Sequence, residues 1–409
     1  MTKKKVALAY SGGLDTSVCI RYLQKIHDLD VVTVTVDCGQ NEDFVETEKK
    51  SLDIGSLKHV FIDAKDEFVS DYIVPSIRAN GLYQEKYPLA TALARPLIAK
   101  KTVEIAHKEN CNFIAHGCTG KGNDQVRFDV TIKSLDPSLG IIAPIRDMNL
   151  TRDVEIDFAR KENIQIDTKV NNYSIDVNIW GRSIEGGNLE DVLVEPPLDC
   201  FQLVKFDSSK TQYLEIEFEN GIPVSLDGVK MSLISMIDIL NKKAGNCGIG
   251  VVDHIEDRIV GIKSREIYEA PAAITLIEAH KDLEKMVLTS QELRFKHLVD
   301  NQWGWLAYSG LWLDPLRTAL DAFINETQKR VNGKIRMKMH NGGLRVVGRY
   351  SDNSLYKNEL ATYESGSLFN QELARGFVEL WGLQSITANT IINNLNKGKK
   401  YLGEYKNEN

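Results

Sequence analysis

The sequence predicts an α/β protein: a doubly wound parallel sheet, then a second, α+β domain, then a C-terminal helical tail. Three observations predict it. Short apolar runs alternate with helical patterns as far as Lys161; the first run ends in Gly12-Gly13; from about Lys169 turns and period-two alternation take over. Alternation of this kind places helices on both faces, because each parallel strand is reached through a crossover.

Taken in order, Val6 to Tyr10 is too short an apolar run for a helix and reads as a buried strand. Thr16, Ser17, Val18, Ile20, Tyr22 and Leu23 continue with helical spacing, so the two glycines stand between a strand and a helix. Further strands are expected at 31–36, 59–62, 113–115 and 141–143, with helices around 45–52, 89–107 and 153–161. The rise in Asn, Asp, Gly and Pro up to Pro196-Pro197 marks a junction.

Beyond it, 213–218 alternates as a strand, Gly221-Ile222-Pro223 reads as a turn and 233–243 as a helix. Segments 258–262 and 273–276 read as strands or strand edges, and 335–339 with 344–349 flank Asn341-Gly342-Gly343 as a hairpin. In the tail, Phe369, Leu373, Phe377 and Leu380 share a helical face, followed by an apolar but broken stretch at 386–395. Such a face at a chain end either folds onto a core of its own or clasps a neighbouring subunit, and the second is the preferred expectation. At 409 residues the chain exceeds an ordinary single domain and divides as 1–168, 169–363 and 364–409.

A formal charge of −7 gives no global attraction to nucleic acid or to an anionic membrane, and no long apolar span is present. Neither class of partner is expected. Cys19, Cys38, Cys111, Cys118, Cys200 and Cys247 form no C-x-x-C pairs, which points to a reduced, cytoplasmic protein. Cys111 and Cys118 flank His116, but zinc pairs usually sit about two to four residues apart, so no protein metal site is read here.

The segment Ala9 to Ser17, A-Y-S-G-G-L-D-T-S, has the parts of a phosphate-binding loop. Its glycines let the backbone approach an anion, the first-turn amides of the helix point at it, and Ser11 and Ser17 add hydroxyl donors. It matches neither G-x-x-x-x-G-K-[ST] nor G-x-G-x-x-G. A second informative segment, H-G-C-T-G-K-G-N-D-Q-V-R-F-D from His116 to Asp129, follows a strand directly. Its Thr, Lys, Asn and Asp supply donors for a carboxylate and an acceptor for an ammonium, which suits an amino-acid ligand. In a doubly wound sheet the two segments and Val36, at the end of the second strand, share one crevice.

The first segment resembles the loop of the ATP pyrophosphatase, or PP-loop, superfamily, which grips the pyrophosphate end of ATP. With Y-P-L-A-T-A-L-A-R-P from Tyr87, T-G-K-G-N-D-Q-V-R-F from Thr119 and G-I-K-S-R-E-I-Y-E-A-P from Gly261, the chain resembles the argininosuccinate synthase family. The resemblance implies coupling of citrulline to aspartate with ATP and Mg²⁺, release of AMP and pyrophosphate, and a homotetramer. It implies that Ala9, Tyr10, Ser11, Gly12, Gly13, Leu14, Asp15, Thr16, Ser17, Val36 and Gly117 hold ATP. Thr119, Asn123 and Asp124 would hold aspartate, and Tyr87, Asn123, Arg127, Ser174, Ser183, Glu256 and Tyr268 citrulline. Ser11 and Ser17 are the candidates for phosphate contact, Asp15 for Mg²⁺ contact or loop support, and Asp124 for the proton acceptor if it reaches the attacking amine. Two departures stand out: Ala92, where some members carry Ser, and Asp257, where Asn is common.

Overall fold

Lys5–Ala9 (β1), Asp30–Asp37 (β2), Lys58–Asp63 (β3), Phe113–Ala115 (β4) and Gly140–Ile142 (β5) form a five-stranded sheet in the order β3-β2-β1-β4-β5. All four pairings are parallel. The computed structural model describes residues 3–165, 173–206, 211–364 and 367–404, so the expected junction at 168/169 lies outside the described residues.

β1 shows why the sheet is wound on both sides. Its successive side chains point to opposite faces, and both faces are dry: Ala7 and Ala9 join one hydrophobic cluster, Val6 and Leu8 the other. Helices Leu14–Ile26 and Arg152–Lys161 pack on the Val6 side through residues such as Val18, Leu23 and Ala159. Ala90–Lys108 packs on the other through Leu93, Leu97 and Val103. Strand order reverses at β1, where the next strand in sequence, β2, lies on one side and β4 on the other. That reversal leaves a crevice at the carboxyl ends of the two strands.

The following region adds two antiparallel sheets. Ser174–Asn178 (β6) and Gly181–Glu185 (β7) belong to one of them, Gln212–Glu219 (β8), Ile222–Leu226 (β9) and Val229–Lys230 (β10) to the other. Val251–Asp257 (β11) and Lys263–Glu269 (β12) complete the first, in the order β11-β12-β7-β6; Gly333–His340 (β13) and Gly343–Tyr350 (β14) complete the second, in the order β10-β9-β8-β13-β14. The β13–β14 hairpin turns at Asn341-Gly342, both at positive φ, as the Asn-Gly pair requires.

Three expectations are corrected. Residues 258–262 are the connection between β11 and β12, where Gly261 donates to the Arg258 carbonyl. Residues 273–276 lie inside the helix Pro271–Val287, whose apolar side chains are buried at helical spacing that a four-residue window cannot reveal. Ile222 and Pro223 open β9, the turn being Asn220-Gly221.

The chain forms two compact units, Met1–Asn353 and Ser354–Asn409. The second contains one long helix, Glu372–Glu404, which runs unbroken through the stretch expected to be interrupted. Phe369 precedes it.

Candidate active site

A cleft of about 560 Å³ opens at the reversal point, and both sequence segments line it. Gly13 is the N-cap of the first helix and offers no side-chain acceptor, so the first-turn amides are left for an anion. Ser11 Oγ lies 3.2 Å from Thr16 Oγ1 and accepts from the Gly13 amide at 3.4 Å, folding the loop over the helix end. Ala9, Tyr10, Ser11, Gly13, Leu14, Asp15, Thr16, Val36 and Gly117 all line the cleft. Gly12 and Ser17 do not. The Gly12 carbonyl accepts from Lys50 Nζ at 2.6 Å, and buried Ser17 lies with its hydroxyl 3.3 Å from that of Tyr10.

The loop after β4 presses against the same helix end. A Cβ on Gly117 would stand 3.1 Å from Thr16 Cγ2, so the residue type permits the approach. His116 holds this loop: its Nδ1 accepts the Cys118 amide at 3.3 Å, which leaves the proton on Nε2, 2.8 Å from Asp129.

Asp15 has a buried neighbour the sequence did not suggest. Burial, then the charge of Asp15 and a hydrogen bond with it, push the Glu155 carboxyl up to about 8. A glutamate in the unfolded chain releases its proton near 4.5, whereas the folded one keeps it to about 8. Stability therefore falls as pH rises through that window and levels off above it. Glu155→Gln, which mimics the protonated form, is expected to melt with wild type at about pH 4 and several degrees higher above about pH 8.5. A melting difference that ignores pH would refute a proton retained on Glu155.

The far wall is one face of the sheet β11-β12-β7-β6. Tyr268 lies opposite Ser183, and Ser183 opposite Asp176, so period-two alternation sends these side chains to the cleft. Ile175, Ile184 and Ile267 join a separate hydrophobic cluster. Glu256, from β11, is 2 % exposed. Burial raises its pKa, but hydrogen bonds from its neighbours and the charge of Arg127 outweigh that and hold it below the usual glutamate range. Tyr268 donates to Glu256 Oε2 at 2.6 Å and Tyr308 to Oε1 at 2.5 Å. Tyr87 stacks on Tyr268 with centroids 4.0 Å apart. Its hydroxyl accepts the Thr91 and Ala92 amides at 2.9 and 3.4 Å, so what it can offer the cleft is its proton.

Arg127 and Asp124 form the third element. Arg127 is 4 % exposed, which rules out a surface ion pair. Three of its five N–H groups are committed: Nε and Nη2 to the Tyr308 carbonyl at 3.0 and 2.9 Å, and Nη1 to Asp124 Oδ1 at 2.9 Å. One N–H on each terminal nitrogen remains, a fork that fits a carboxylate. Asp124 Oδ2 accepts from Arg95 Nε at 2.7 Å, and Arg95 continues to Asp176 at 2.8 Å. Asn123, Thr119, Ser174 and Ser183 also line the cleft. Sequence reasoning missed Arg95, Asp176 and Tyr308. Arg95 alone had a signal, an arginine inside an otherwise apolar helical run.

Residues 5–165 match the family described as arginosuccinate synthase N-terminal HUP domain, and residues 173–388 match the arginosuccinate synthase C-terminal domain. The chain is 54 % identical over 387 residues to the argininosuccinate synthase of Pyrococcus furiosus, covering 94 % of each chain. The chain belongs to the argininosuccinate synthase family. Similarity to the argininosuccinate synthases of Dictyoglomus turgidum, at 52 % over 386 residues, and Pyrobaculum aerophilum, at 52 % over 392, spans 97 % and 99 % of those chains.

Against this family pattern the two departures have structural accounts. Thr91 lines the cleft and Ala92 does not, so the hydroxyl available on that turn is the threonine's. The Asp257 carboxylate is met by Lys263 at 2.5 Å and Gln84 at 2.7 Å, and it lies one residue out of phase with Glu256 along β11. Its charge is compensated outside the cleft.

Proposed function

We propose that this chain is a carbon–nitrogen ligase of arginine biosynthesis, joining L-citrulline to L-aspartate through a citrullyl-adenylate, with AMP and pyrophosphate released. The observation that carries the reading is a single cleft in which a helix-end anion loop faces a buried carboxylate and a guanidinium fork, in a chain of this family. ATP would lie along Ala9 to Ser11, Gly13 to Thr16, Val36 and Gly117. Thr119, Asn123 and Asp124 would hold aspartate. Arg127 would take the citrulline carboxylate and Glu256 its ammonium, with Tyr87, Asn123, Ser174, Ser183 and Tyr268 around them.

A ureido carbon is a poor electrophile, and its oxygen a poor leaving group. Attack of that oxygen on the α-phosphorus cures both defects, and the aspartate amine then displaces AMP. The chain supplies orientation and fixed dipoles: loop amides and the Ser11 hydroxyl toward pyrophosphate, the fork and the carboxylate toward citrulline. Carboxylates outnumber guanidiniums along the cleft wall, which favours entry of ATP as its Mg²⁺ complex. Ser11, Asp15 and Thr16 present the hard oxygen donors such a cation takes, and the ion would neutralise charge on the departing pyrophosphate. Two arginines outweigh burial and keep Asp124 below the usual aspartate range. That supports Asp124 as an anchor and an ammonium acceptor over a role as proton acceptor.

Burial raises the thiols of Cys19, Cys38, Cys111, Cys118 and Cys200, so none of these five is primed as the nucleophile that sulfur-transfer chemistry would need. Mass spectrometry of the full-length protein mixed with Mg-ATP, citrulline and aspartate tests the reading. Argininosuccinate with equal AMP and pyrophosphate, formed only in the complete mixture, supports it; ATP binding without that product refutes it.

The same reading divides the chain by task, with 1–168 for ATP, 169–363 for the amino acids and 364–409 for assembly. The family resemblance implies a cytoplasmic homotetramer, and self-association of some order is supported by the tail helix, where Phe377, Leu380 and Trp381 are 59, 76 and 76 % exposed. Among the described residues, no helix is long and apolar enough to cross a membrane. Phe377→Glu with Trp381→Glu is expected to lower the mass seen by light scattering to that of a smaller assembly; an unchanged mass would remove the tail from the interface.

A further inference from the structure

We infer that Tyr308 is a positioning residue that sets both ends of the amino-acid clamp, an inference that rests on the proposed citrulline site. Tyr308 is fully buried at the last position of the helix Ser290–Tyr308. Its main-chain carbonyl accepts two N–H groups of Arg127, which fixes the plane of the guanidinium and therefore the direction of the free fork. Its phenol donates to Glu256 Oε1 at 2.5 Å and accepts from Asn123 Nδ2 at 2.8 Å.

The direction of each proton is forced. Asn123 Oδ1 accepts the Ile259 amide at 3.0 Å, so its nitrogen faces the phenol and the phenolic proton goes to the carboxylate. Glu256 thus receives one donor on each oxygen and retains acceptor capacity for an ammonium.

The ring cannot drift. It stacks on Tyr83 with centroids 3.5 Å apart, and the turn that follows packs so closely that a Cβ on Gly310 would stand 3.0 Å from Arg127 Cα. Three groups assigned to the substrates, from two distant parts of the chain, therefore meet on one residue that need not itself touch ligand.

Tyr308→Phe keeps the ring and removes the hydroxyl. Steady-state kinetics of the full chain, with citrulline binding by calorimetry, is expected to show the citrulline KM and Kd raised by roughly 10–100-fold, as for loss of a hydrogen bond to a buried charge. The ATP KM and kcat should stay near wild type, the pattern of lost binding common to ground and transition states, while the melting temperature falls modestly because Glu256 and Asn123 each lose a buried partner. A merely structural role would lower the melting temperature and leave the citrulline KM unmoved.

Tyr83→Phe removes the hydroxyl of the stacked ring, whose partner is the Asp257 carbonyl at 2.7 Å, and is expected to leave the citrulline KM within about twofold. A citrulline KM in Tyr308→Phe within twofold of wild type, or an equal rise in Tyr83→Phe, overturns the inference while product formation by wild type preserves the proposed function. A wild type that neither binds citrulline nor forms product removes both.

Discussion

Arg127→Ala is expected to lower kcat/KM for citrulline by roughly a hundredfold to several thousandfold, with the ATP KM changed far less. Truncating one partner of a buried, hydrogen-bonded charge pair costs about 3–5 kcal/mol, and about 1.4 kcal/mol is a factor of ten. Arg127 is such a partner, 4 % exposed and bonded to Asp124 and to the Tyr308 carbonyl. Its removal takes away the fork and leaves the Tyr308 carbonyl short of two donors. Lysine is not a conservative replacement, since an ammonium has no fixed plane with which to bridge the carbonyl, Asp124 and a ligand carboxylate. Kinetics with citrulline varied at saturating ATP and aspartate checks it. A loss below tenfold would show that the carboxylate of citrulline is held elsewhere.

The weight placed on Arg127 also shows which parts of the site a sequence can disclose. The anion loop was legible because its function is local: strand, glycines and helix end are contiguous in the chain, and the physics of a helix N-terminus acts over one turn. The β13–β14 hairpin was legible for the same reason. By contrast, the clamp joins Arg127 to Tyr308, 181 residues away, and Asn123 to the same tyrosine, 185 residues away. A tyrosine inside W-G-W-L-A-Y reads as core, and Tyr308 is core by burial. Only the partners of its hydroxyl and carbonyl distinguish it. The segment 273–276 failed for a different reason: it was read in too short a window, where a buried helix and a buried strand look alike. Ser17 sits on the inner face of its helix because four positions after the N-cap is already within the packed turn, whereas Ser11 precedes the helix and stays at the cleft.

Asp124→Asn should affect both amino acids and the fold together, in contrast to Arg127→Ala. Its two oxygens accept from two different guanidiniums, Oδ1 from Arg127 and Oδ2 from Arg95. An asparagine accepts through one atom only, so its amide nitrogen would face one guanidinium donor to donor, and buried Arg127 and partly buried Arg95 would lose their shared counter-charge. A loss of about 3–5 kcal/mol of stability is expected near neutral pH, read as a lower denaturant midpoint, with aspartate and citrulline turnover both reduced at least a hundredfold. The sign of the pH dependence follows from the depressed carboxyl. In wild type the folded pKa lies below the ordinary 3.8, so the stabilisation is complete above that value and disappears as pH falls through the folded pKa. The gap between wild type and Asp124→Asn should therefore be full at pH 6–8 and close in acid, below about pH 3.8. A gap that persists unchanged into acid would mean that the carboxylate charge contributes nothing, and that Asp124 acts through shape alone.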